Sequence, residues 1–175
     1  MKYLTNVMCA CVGLLSINYV GITAHAQEIE KEGRFSVTYV LANPNPTKPI
    51  TSGQPNHEIS LGNVTAVTVN DEGKPFLNYM AGRCSSVTDH DTAAKSYQRH
   101  GLCHFLNQQT GDEVFAELSG SQDSAGAQHR GKWLGGTGKY SGLTGEFDVL
   151  FHPVFASEHL ILAAGKLVGQ YRLGR

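Results

Sequence analysis

Between Arg34 and Leu41 the chain alternates: Phe35, Val37, Tyr39 and Leu41 fall on one face, Ser36 and Thr38 on the other. Successive side chains of a strand point to opposite faces, so a period of two predicts a half-buried strand. The same character returns in Glu58–Val69 through Ile59, Leu61, Val64 and Val67, with Gly62-Asn63 read as a bulge. It returns again in Pro75–Thr88, Leu102–Gln108, Glu113–Leu118, Gln128–Gly135, Gly145–Phe155 and Leu160–Leu173. Asn70-Asp71-Glu72-Gly73 and Gln109-Thr110-Gly111-Asp112 have the composition of tight hairpin turns, and Gly120–Gly126 that of a Ser/Gly-rich loop. Asp89–His100 is polar and breaks the pattern. Ala42–His57 carries Pro44, Pro46, Pro49 and Pro55, which no central strand tolerates. It reads as a long surface excursion, either a lid or binding loop or a bare crossover.

No stretch repeats at 3.6 residues, so the expectation is an all-β chain of eight strands. Eight sequential antiparallel strands can close into an up-and-down barrel, which removes the exposed edges of a flat sheet. The interior of such a barrel is either filled by side chains or holds one small ligand. A two-sheet sandwich satisfies the same pattern.

The N-terminal segment adds a compartment. Met1-Lys2 leads into a mostly apolar run from Val7 to Val20, closed by Ala24-His25-Ala26. A positive start, an apolar centre and a small-x-small end make a secretory signal peptide; a spanning helix needs roughly 20 apolar residues. The expected organisation is a signal peptide over 1–26, a charged, mobile lead-in over 27–33 and a single barrel domain over 34–173. The protein is then secreted or periplasmic, with no membrane insertion after cleavage. Removal of the signal takes Cys9 and Cys11 and leaves Cys84 and Cys103. In an oxidising compartment that pair reads as a disulfide, worth about 3 kcal/mol by chain entropy; two free buried thiols are the alternative. The net charge is −1, and no half of the chain is strongly basic, so nucleic acid and anionic membranes are poor partners.

The segment Lys132–Gly145 contains the single tryptophan, Trp133, and five glycines. Glycines so closely set within strand-like sequence suggest a bulge, a corner or a close contact. The reading is a corner, with an irregular turn through Lys139–Leu143. It is no phosphate loop: Gly138-Lys139 is followed by Tyr140, and the glycine expected five positions earlier is Trp133. The run Gly135-Gly136-Thr137-Gly138-Lys139-Tyr140-Ser141-Gly142-Leu143-Thr144-Gly145 resembles a segment of the allene oxide cyclase and dirigent-type β-barrel superfamily. The likeness is greatest to its exported bacterial branch, in which a cysteine pair like Cys84 and Cys103 often lies upstream and a turn like Thr110-Gly111-Asp112 follows. The resemblance implies an eight-stranded antiparallel barrel with a lumen, and favours barrel over sandwich. It carries over no catalytic residue, because the superfamily includes cyclases acting on an oxygenated fatty acid and dirigent proteins that guide phenoxy-radical coupling.

With the apolar faces inward, the expected ligand-binding residues are Phe35, Tyr39, Trp133, Phe147 and Phe151. Tyr39 and Trp133 each need a partner for a polar tip when buried. Asp148 and His152 share the opposite face of their strand with Glu146. They point to solvent in that arrangement, and become candidates for acid–base catalysis only if the polar face turns inward. Asp89, His90, Asp91, His100 and His104 lie around the cysteines, but their spacing matches no metal-ligand pattern. Ser141 and Ser157 lack a nucleophile-elbow context. No metal or cofactor is implied, and the oligomeric state is left open. The functional expectation is an exported barrel binding a small hydrophobic or aromatic molecule. The alternatives are an isomerase or cyclase acting on an oxygenated lipid-like or phenolic molecule, and a non-catalytic structural or interaction domain with a filled barrel.

Overall fold

The computed structural model describes residues 28–123 and 126–174; the expected signal peptide lies outside them. The strands run in chain order as β1 (Glu32–Pro44), β2 (Ile50–Thr51), β3 (His57–Asn70), β4 (Met80–Asp91), β5 (Ser96–Leu106), β6 (Glu113–Asp123), β7 (Gly126–Gly136), β8 (Glu146–Ala156) and β9 (Leu160–Arg172). Each long strand pairs antiparallel with the next, and β1 pairs with both β3 and β9. That double pairing closes eight strands into a barrel and excludes a sandwich. Short β2 adds to β3 alone, Ile50 opposite Ile59. Among the described residues the only helix is a 3-10 turn, Gly138–Tyr140.

The register fixes which side chains face the lumen. Val37, Tyr39 and Leu41 stand opposite Asn70, Thr68 and Ala66, and Gly82, Cys84 and Ser86 opposite Phe105, Cys103 and Gly101. Cys84 and Cys103 are therefore direct cross-strand neighbours on the inner wall, and they form a disulfide. Gly62-Asn63 is not a bulge, because its pairing with Ser86 and Ser85 continues the ladder unbroken. The irregularities fall instead between Phe115 and Ala116 and between Pro153 and Phe155.

One end of the lumen is solid. Phe35, Phe76, Trp133, Tyr140 and Tyr171 pack as an aromatic plug, Phe76 stacked on Tyr171 with centroids 3.9 Å apart. Phe76 and Leu77 come from the β3–β4 connection. Asn70-Asp71-Glu72-Gly73 starts that connection, but β4 begins only at Met80, because the intervening residues fold under the barrel as its floor. Asn70 Nδ2 donates to Phe76 O at 2.9 Å. Tyr140 reaches the same floor from the glycine corner: its hydroxyl accepts from Leu77 N at 3.0 Å and donates to Pro75 O at 3.3 Å. The corner needs a glycine at 138, where φ is +54° and a Cβ would run into the Asp112 carboxylate. Ile29 is buried in this plug too, and Leu173 N donates to Lys31 O at 2.7 Å.

Closure is uneven. β7 and β8 share only the pairs Arg130–Asp148, Gly131–Phe147 and Lys132–Glu146 among the described residues. Away from the plug, Gln128-His129 and Val149–Ala156 part without a ladder between them. The barrel is thus slit along one side.

Candidate functional site

Beyond the plug the inward residues become small: Gly62 and Ser60 on β3, Ser86 on β4, Gly101 on β5 and Gly165 on β9. Small inward side chains leave the other end of the lumen open, as a cavity of about 350 Å³. Its walls are apolar, formed by Tyr39, Leu41, Leu118, Phe147 and Val149, with the Cys84–Cys103 disulfide set into them. Pro46 and Thr47 from the proline-rich excursion line its mouth, where Thr47 Oγ1 donates to Leu61 O at 2.6 Å. The Tyr39 hydroxyl donates to Leu150 O at 2.9 Å, and burial pushes its pKa up to about 12, so Tyr39 is a neutral wall.

Polar groups converge on one side. Arg99 Nε donates to Thr88 Oγ1 at 2.9 Å, and its guanidinium lies 5.5 Å from the centroid of the Tyr97 ring. The Tyr97 hydroxyl is 2.8 Å from His129 Nε2. Burial, assisted by the Arg99 charge, lowers the His129 pKa from its usual value, so the ring is neutral near pH 7. The Nδ1 side of the ring lies against Gly120, where a Cβ would come within 2.7 Å of Nδ1. Nearer the rim, Ser60 Oγ is 3.1 Å from His90 Nε2.

Tyr39, Phe147 and Phe151 line the cavity. Phe35 and Trp133 lie beneath it in the plug, each nearly fully buried, and Trp133 packs under the cavity-lining Phe147, at 4.2 Å between centroids, and Phe105, at 6.4 Å. Trp133 Nε1 is buried with no hydrogen-bond partner among the described residues. Asp148 and His152 are exposed on the outer surface, with Asp148 Oδ1 3.9 Å from Arg130 Nε. The histidines and aspartates near the cysteines are split between the two faces. His90 turns inward, Asp89 pairs with His57 at 3.0 Å, and His104 pairs with Glu113 at 3.1 Å. Among the described residues no three His, Cys, Asp or Glu are grouped to hold a metal.

Tyr97, Arg99 and His129 were not legible as a site. Asp89–His100 reads as a break because its residues are polar, yet β4 and β5 run through it as a regular hairpin. The signal was present in the phase: Tyr97, Arg99, Gly101, Cys103 and Phe105 alternate in register and share the inner face.

No protein-family model matches the chain, and no curated protein matches it by sequence. Solved structures do. One is a protein of unknown function from the DUF3224 family of Shewanella oneidensis MR-1. It has a TM-score of 0.51 and 9% identity, covering 77% of this chain and 96% of that one. Another is the pterocarpan synthase dirigent protein GePTS1, with a TM-score of 0.51 and 9% identity, covering 85% of this chain and 90% of that one. The fold is a dirigent-type barrel. At this identity the likeness is one of architecture alone, and what the dirigent-type barrel does here must be argued from its own cavity.

Proposed function

We propose that this dirigent-type barrel binds a small hydrophobic or aromatic molecule in its lumen. The observation that carries the reading is the open half of the barrel: an apolar cavity of about 350 Å³ with a few polar groups gathered on one wall. That is how small-molecule sites are built, with apolar area for affinity and sparse polar groups for orientation. The plug closes one end, and the slit between β7 and β8 widens access beside Phe151. The N-terminal signal pattern and the disulfide support a secreted or periplasmic protein.

A second reading has one observation in its favour. A neutral imidazole hydrogen-bonded to a phenol at a cavity wall can move a proton on a bound ligand, which suits an isomerase or cyclase. Both readings need occupancy of the lumen, so occupancy is tested first. Titration with phenolics and fatty acids should quench or shift Trp133 emission, because Trp133 packs on the cavity-lining Phe147. A flat response to both classes, with no small molecule co-purifying by mass spectrometry, leaves a structural or interaction domain.

A further inference from the structure

Among the described residues lining the cavity Arg99 is the single arginine, and no Lys, Asp or Glu lines it. The side chain is half-buried, and its Nε is engaged by Thr88. No carboxylate pairs with it among the described residues, and neither Nη has a protein partner there. A cation drawn partly out of water gains from a counter-charge, and the planar guanidinium fork fits a carboxylate in two parallel hydrogen bonds.

Resting on the lumen-binding reading, we infer that the ligand is a compact carboxylic acid. Its carboxylate is held by the free Nη groups of Arg99, and its apolar body lies against Phe147, Val149 and the disulfide.

Three features make the head a carboxylate rather than a phosphate. Arg99 is alone: no lysine or second arginine lines the cavity to balance a second charge. Burial disfavours a charge on His129, so Arg99 is the one permanent positive charge on the wall and matches one negative charge. The strands flanking Arg99, β4 and β6, are paired with β5 in continuous ladders, and no helix N-terminus among the described residues faces the cavity to cradle a polyanion. The Tyr97 ring beneath the guanidinium and the Thr88 hydroxyl behind it hold the fork in one orientation. A compact body follows from the plug, which stops the lumen at Phe147 and Phe105.

The test is calorimetric titration of the full mature chain with 2-naphthoic and cinnamic acids and with their methyl esters. The wild-type protein should bind the acids at least tenfold more tightly than the esters. Arg99→Gln keeps an amide donor for Thr88; it should lose the preference, acids and esters then binding alike. Arg99→Lys, with charge but no fork, should fall between them. Equal binding of acids and esters to the wild type overturns the acid assignment and leaves the lumen reading standing. Persistence of the preference in Arg99→Gln also overturns it. Binding of none of the four overturns both. Should Arg99→Gln fail to fold, the wild-type ratio still decides, since no other full cation lines the cavity; a ratio that does not fall as salt rises from 50 to 500 mM counts as failure.

Discussion

The hydroxyl of Tyr97 on β5 reaches His129 on β7 at 2.8 Å, passing over the intervening strand β6 at Gly120. This bond ties two non-adjacent strands across the inner wall and places a neutral imidazole beside the lone guanidinium of Arg99. Its existence depends on a residue with no side chain: Gly120 pairs with both Arg99 and His129.

The His129 titration reports this arrangement. Burial is the larger cause of its lowered pKa and the Arg99 charge the smaller. Proton NMR of the imidazole should therefore show His129 titrating below 6.5. Arg99→Gln should move it upward but not fully back, because burial remains. For stability the sign is that of a base held neutral in the fold. The contribution is complete above the ordinary histidine value and is lost as pH falls through it toward the lower folded value.

Gly120→Ala tests the glycine. The added methyl group must displace the His129 ring, so the variant should lose about 1–3 kcal/mol by overpacking. It should also bring the His129 resonance back toward ordinary titration. Chemical denaturation and the same NMR titration measure both effects.

Asp71 anchors the start of the floor connection to the wall. Its carboxylate pairs with Lys166 at 2.7 Å and accepts from Thr38 at 2.6 Å and from Ser36. These partners, Lys166 first, hold its pKa well below the usual carboxylate range. A carboxylate with a lowered folded pKa stabilises fully above its unfolded value near 3.8 and loses that contribution as pH falls further. Asp71→Asn should cost about 1 kcal/mol at neutral pH, the solvent-exposed pairs being screened. The difference from wild type should shrink as pH falls below 3.8. Equilibrium unfolding at pH 7 and pH 2.5 measures it.

The strands were legible because alternation depends only on which face is buried, and Phe35, Val37 and Tyr39 announce it directly. The cysteine pair was legible once the compartment was read. The floor was not: Phe76 and Leu77 read as the start of a strand over Pro75–Thr88, yet they are buried from the connection before β4, beside Asn70, which looks like an ordinary turn residue. The cavity was also hidden, since Gly62, Ser86 and Gly101 appear in sequence as weak strand residues, and only the register gathers them at one end. Arg99 and His129 looked like ordinary solvent-facing side chains for the same reason.

Gly138→Val should abolish folding or export, because it puts a β-branched residue at φ +54° against Asp112. Cys84→Ser combined with Cys103→Ser should be milder. The bridge spans 19 residues of sequence, and its loss should cost about 3 kcal/mol while the far-UV spectrum stays β-type. Expression with circular dichroism separates the two outcomes.

The central claim is that the open half of the barrel is a binding site. Native mass spectrometry of the mature protein, purified from its own compartment and then offered the phenolic, fatty-acid and aryl-acid panel, tests it most directly when set beside Val149→Trp, which fills the lumen. The account predicts a bound small molecule on the wild type and none on a folded Val149→Trp variant. Equal occupancy of the two proteins, or none on the wild type with the whole panel, would contradict it.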